Sequence, residues 1–279
     1  MGLHQPGGNV RKKSMCVRVF FIFLAAALAT PAFAQPDAGP GMPPAMASRI
    51  KAERVGPVEP GFYSVGDAGS FVLMPYGPSR YLLRFTGGKE NFVLSLERSS
   101  LGARVLKYDT GATALRVSVW GGLTLYTSDN PGGVPATRQG DAPPRPSMAV
   151  SSGELATAFN DEGHHLTYVQ KITVKFSADP AVMQADPETR GRAFDALTNA
   201  AVGIERFLAT LPVARPLFAK RVTAVKVAEG GKPTLTLSGQ TLLVSFVPGE
   251  GHEGHASSLA IQQELGKLLA VTNKDVASK

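Results

Sequence analysis

Between Phe62 and Tyr126 one pattern recurs: short runs in which apolar and polar residues alternate, each closed by turn-forming residues. In RYLLRFTG, Tyr81, Leu83 and Phe85 fall on one side and Leu82 and Arg84 on the other. In NFVLSLER, Phe92, Leu94 and Leu96 oppose Val93, Ser95 and Glu97. A period of two belongs to a strand with one buried face. FVLMPY, ARVLKYD, ALRVSVW and LTLYT repeat it, with breaks at Gly87-Gly88, Ser99-Ser100, Gly111 and Gly121-Gly122. Connections this short join neighbouring strands antiparallel. Residues 61–130 are therefore predicted to form an antiparallel meander of five or six strands.

PGGVPATRQGDAPPRPS (131–147) carries no period and is rich in proline and glycine, so it reads as a loop or linker. Beyond it, over 148–273, helical and strand patterns mix. A weak helix is predicted over 153–162, a strand at KITVKF, and a strong helix from Pro187 to Leu211. In that helix Phe194, Leu197, Ala201, Ile204, Leu208 and Leu211 recur at spacings of three and four. Asp186 is placed to cap it, with Pro187 at its first position. RVTAVKV, PTLTLS and TLLVSFV read as strands joined at Gly230-Gly231 and Ser238-Gly239, which favours antiparallel hairpins. A last amphipathic helix is predicted from Ser258 to Val271. The fold class is α+β: an N-terminal antiparallel β-meander followed by a helix-plus-antiparallel-sheet unit. Whether the two share one core is left open.

The other end of the chain predicts its destination. Arg11, Lys12, Lys13 and Arg18 precede the apolar run Val19 to Leu28, and Ala32-Phe33-Ala34 follows. This is the pattern of a secretory signal peptide over residues 1–34, which implies an exported, periplasmic or secreted protein. The run is too short to span a bilayer, and no later segment approaches the ~18 apolar residues a span needs. Residues 35–60, rich in Pro, Gly and Ala, read as a flexible leader with a short helix near 45–54.

Removal of residues 1–34 would take away Cys16, the only cysteine, and with it any disulfide or thiolate ligand. It would also remove four basic and no acidic side chains, lowering the net charge from +7 to +3. That balance is too mild to argue for nucleic acid as a partner.

Two sets of residues could carry function. GEGHEGHASS (249–258) follows a strand and precedes a helix, the order of elements in a phosphate-binding loop. His255 and Ala256 stand where such a loop has lysine and a hydroxyl residue, and Glu250 and Glu253 would repel a phosphate. As metal ligands, His252 and His255 with Glu250 or Glu253 suit Zn²⁺ in type. Their i, i+3 spacing is not that of a zincin helix, and a solvated polar turn explains the same residues. His164-His165 beside Gly163 reads as a helix C-terminal cap. With no Gly-x-Ser-x-Gly and no cysteine after processing, no catalytic residue is assigned.

The second set lies on the β unit. Arg84 and Arg116 stand between apolar neighbours, and Trp120 and Tyr126 fall near strand ends. Arginines with aromatics anchor proteins or glycans, although ordinary outer-face residues give the same pattern.

GARVLKYDTGATALRVSVWGGLTLYT (102–127) and AFDALTNAAVGIERF (193–207) resemble segments of an uncharacterised family of exported bacterial proteins, a domain of unknown function. The similarity runs from about Phe62 to Leu269 and implies no catalytic residue, cofactor or substrate. The expectation is thus an exported soluble binding or structural protein without cofactor, whose partner is a protein or a cell-envelope component. The alternative is a metal-dependent hydrolase using the 250–255 cluster.

Overall fold

The computed structural model describes residues 58–269, apart from 68, 100, 101 and 145–148. The expected signal peptide, Cys16, the leader up to residue 57 with its short helix, and the last residues expected in the C-terminal helix lie outside the described residues. Val58, at the end of the segment read as flexible leader, is buried in the first core.

The six alternating runs form β2 (Ser70–Pro75), β3 (Arg80–Phe85), β4 (Phe92–Arg98), β5 (Arg104–Lys107), β6 (Thr113–Val117) and β7 (Leu123–Leu125), and a short strand that no run marked, β1 (Gly61–Ser64), precedes them. Each pairs antiparallel with the next. Phe71, Leu73, Leu83, Leu94, Leu106, Leu115 and Leu125 point inward and are buried, while Val72, Met74 and Leu82 form a separate cluster with Val93. The two faces follow the alternation read from RYLLRFTG and NFVLSLER. Each buried Leu or Phe contributes ~1.5–3 kcal/mol relative to exposure, and an eight-stranded barrel is narrow enough for side chains to fill.

The meander closes because the segment read as a linker holds an eighth strand, β8 (Val134–Gly140), which pairs with β7 and β1. Closure removes both free sheet edges. Its sequence, VPATRQG, is half polar and contains Pro135, which hides it from a pattern search. Pro135 pairs opposite Thr124 of β7, and β1 joins only from Thr137 onward. At the seam a side chain at Gly61 would meet the Gly140 carbonyl at 2.6 Å. Arg138 Nε donates to the Pro60 carbonyl at 3.1 Å, tying β8 to the chain entering β1.

The second unit contains α1 (Ser152–Gln170), β9 (Lys175–Ala178), α2 (Pro180–Gln184), α3 (Pro187–Thr210), α4 (Arg215–Arg221), β10 (Ala224–Glu229), β11 (Thr234–Ser238), β12 (Thr241–Phe246) and α5 (Ser258–Leu268). Its sheet has the order β11-β12-β10-β9 and is not the antiparallel sheet expected: β10 lies parallel to both β12 and β9. Only the β11–β12 hairpin is antiparallel. The long helical crossover from β9 to β10 permits the parallel pair, and after Gly230-Gly231 the chain passes to the far side of β12 instead of folding back on β10.

Asp186 caps α3 as predicted, accepting from the N–H groups of Glu188 at 2.9 Å and Thr189 at 3.0 Å. Helix α1 runs well past the predicted end. His164 and His165 therefore lie within the helix rather than capping it, and His165 Nε2 meets Glu205 Oε1 of α3 at 2.8 Å. Helices α1, α3 and α5 share a second buried cluster with the sheet, distinct from the barrel interior.

Candidate functional site

The glycine-rich stretch joins β12 to α5 as two 3₁₀ turns over Pro248–Gly254, broken at Gly251 (φ 60°, ψ −138°). That backbone suits glycine. A Cβ there would also overlap the Tyr76 hydroxyl, which accepts a hydrogen bond from the His252 N–H at 2.8 Å. The expected order of strand, loop and helix is present, yet the helix N-terminus is already served by protein. The Ser258 N–H donates to Glu90 Oε1 at 2.7 Å and its hydroxyl to Oε2 at 2.5 Å. The Ser257 N–H donates to Asp109 Oδ2 at 2.9 Å and its hydroxyl to Oδ1 at 2.6 Å.

Glu90 and Asp109 come from the β3–β4 and β5–β6 connections, so two barrel carboxylates occupy the place a phosphate would take. Burial pushes the Glu90 carboxyl above its ordinary range, opposed by the Ser258 hydrogen bonds and Arg206 and assisted by Asp109.

Two turns earlier in the segment, His252 and His255 are 8 % and 7 % exposed. They face Asp195 of α3: His252 Nδ1 lies 3.4 Å and His255 Nε2 3.3 Å from Asp195 Oδ2. None of these three buried atoms has a hydrogen-bond partner among the described residues. Burial raises the Asp195 pKa, but the two facing imidazoles outweigh it and hold the carboxyl below its ordinary value. Asn199, one turn along α3, places Nδ2 3.1 Å from His255 Nδ1 and 2.9 Å from the Ala256 carbonyl.

The carboxylate brought to the histidines is thus Asp195. Glu253 forms an ion pair with Arg80 of β3, and Glu250 is exposed. Asp195 was legible in principle. Arg192, Asp195, Asn199 and Arg206, with Gly203 between, stand at spacings of three and four on α3 and form a second, polar stripe beside the apolar one.

Arg116 and Tyr126 line a cleft of about 1510 Å³ between the barrel and helices α3 and α5, together with Phe92, Tyr108, Arg206 and Lys267. Burial, eased by Arg206 and reinforced by Glu90, pushes the Tyr108 phenol up to about 12. Arg206 Nε is buried without a hydrogen-bond partner among the described residues. Arg84 lies on β3 opposite Val72, and Trp120, 79 % exposed, sits in the β6–β7 turn; neither lines the cleft.

The family model for a domain of unknown function, DUF4908, matches residues 45–265. The chain belongs to that family. The match spans both the barrel and the second unit, and includes Glu90, Asp109, Asp195, His252 and His255. No curated protein and no solved structure matches the chain. Among the described residues no helix is long and apolar enough to cross a membrane.

Proposed function

We propose that the protein is exported and acts by binding, taking an anionic ligand with an aromatic or aliphatic part into the cleft between the barrel and helices α3 and α5. One observation carries this reading: the Arg206 guanidinium lines the cleft with a buried, unpaired N–H, beside Arg116, Lys267 and the rings of Phe92, Tyr108 and Tyr126. Binding sites combine apolar walls with a few placed polar groups, and a half-buried guanidinium with an unsatisfied N–H rewards a carboxylate, sulfonate or phosphate that completes its hydrogen bonds. The partner would be an envelope component or a small anion of that type. The N-terminal pattern of Arg11 to Ala34 supports export.

The test uses 1-anilinonaphthalene-8-sulfonate, an anionic aromatic probe, and the uncharged N-phenyl-1-naphthylamine. Saturable binding of one sulfonate probe per chain is expected, weakened about tenfold by Arg116→Ala and more by Arg206→Ala, with the neutral probe little affected. Absence of saturable binding, or equal affinity in both variants, would overturn the assignment. Export is checked separately by the amino terminus of the protein recovered from cell fractions, expected at Gln35.

A further inference from the structure

Outside the cleft, we propose that Asp195, His252 and His255 form a mononuclear site for a divalent cation, with Zn²⁺ the ion that the donor set suits. The three donor atoms lie within 4.8 Å of one another, and the two histidines are more than nine-tenths buried. Leaving three polar atoms unsatisfied in such a place is costly.

Direct hydrogen bonding explains the spacing poorly, because N–H···O pairs favour 2.7–3.2 Å and the two separations are 3.4 and 3.3 Å. Two donors bonded to one ion at ~2.0–2.1 Å in tetrahedral geometry stand about 3.3–3.4 Å apart; around an octahedral ion at the same bond lengths they stand about 2.8–3.0 Å apart. The two separations to Asp195 Oδ2 match a tetrahedral edge, and the third, between the imidazole nitrogens, is within 4.8 Å. Two imidazoles and one carboxylate suit Zn²⁺ in type and leave a fourth position open, the pattern of a reactive rather than a closed structural site.

Asn199 decides what binding requires. With Nδ2 donating to both His255 Nδ1 and the Ala256 carbonyl, the metal-free ring carries its proton on Nε2, facing Asp195. An ion at Nε2 displaces that proton, a neutral ring then carries one at Nδ1, and the Asn199 amide must turn its oxygen toward it, giving up its bond to the Ala256 carbonyl. Metal loading thus switches the His255 tautomer.

The experiment titrates the untagged protein with Zn²⁺ alone and with Co²⁺ alone after removal of metal. Expected are one Zn²⁺ per chain, a Co²⁺ adduct with the intense visible bands of tetrahedral cobalt, and movement of the His255 ring proton from Nε2 to Nδ1 in nitrogen NMR. His252→Ala and Asp195→Asn should weaken binding by more than the 10–100-fold that loss of an outer partner costs, while Glu250→Gln with Glu253→Gln leaves it unchanged. The cobalt spectrum of the unaltered protein keeps the test valid if a variant fails to fold. Substoichiometric Zn²⁺ on folded protein, an octahedral cobalt spectrum, or affinity retained without His252 would overturn the proposal.

Discussion

Glu90, on the barrel, accepts from both the backbone N–H and the hydroxyl of Ser258, the first residue of α5, across 168 positions of sequence. Asp109 repeats the grip one residue earlier on Ser257. Two carboxylates thus fasten the helical unit to the barrel through a helix N-terminus, where negative charge is favoured. Removing one leaves a buried donor without a partner, which costs ~1–3 kcal/mol. Glu90→Ala is expected to lower the free energy of urea unfolding by at least that much, and Ser258→Ala, which keeps the backbone bond, by about 1 kcal/mol.

The same carboxyl sets a pH dependence. Burial raises its folded pKa above the 4.5 of the unfolded chain, with Arg206 and Asp109 facing it. Between those two values the native state holds the extra proton, so the stability it contributes is complete below pH 4.5 and is lost as pH rises through the folded value. Glu90→Gln cannot titrate. Unfolding free energies of the two proteins measured against pH should converge or cross in the mildly acidic range; a constant difference would contradict the shift.

Gly251 and Tyr76 form a coupled pair. Gly251→Ala places a methyl group against the Tyr76 hydroxyl and strains a backbone that only glycine adopts freely, and a loss of ~2–4 kcal/mol is expected. In a Tyr76→Phe background the clash goes and the strain stays. A double-mutant cycle by chemical unfolding should give a coupling of ~1 kcal/mol or more.

Trp120 is the only tryptophan and is 79 % exposed. Its fluorescence should resemble that of hydrated indole and be freely quenched by acrylamide. Trp120→Ala should change stability by less than ~0.5 kcal/mol and leave anilinonaphthalene sulfonate binding intact, since this ring does not line the cleft.

Six of the barrel strands, β2 to β7, were legible because each reports its buried face through a period of two, and α3 because its apolar residues follow a helical period; β1, only four residues long, gave no run of its own. Nor was β8 legible. Its half-polar VPATRQG carries no such signal, and it becomes a strand by pairing with β7 on one side and β1 on the other. The parallel pairing of β10 with β12 was hidden for a related reason: Gly230-Gly231 permits a hairpin as readily as a passage across the sheet, and the chain takes the second course, with β11 pairing on the far side of β12.

The histidines of GEGHEGHASS were visible as candidate ligands, but the carboxylate they face was not among the neighbouring glutamates. Periodicity in the chain records which side of each element is buried, because side-chain direction follows the local backbone. Those local patterns determined the meander, the helices and the presence of two imidazoles in one loop. Closure of the barrel, the placing of Asp195 against His252 and His255, and the capture of Ser258 by Glu90 depend on residues far apart in sequence. No local period encodes them: β8 meets β1 only when the barrel closes, Asp195 meets the histidines only when α3 packs beside the β12–α5 connection, and Glu90 meets Ser258 only when the two units pack together.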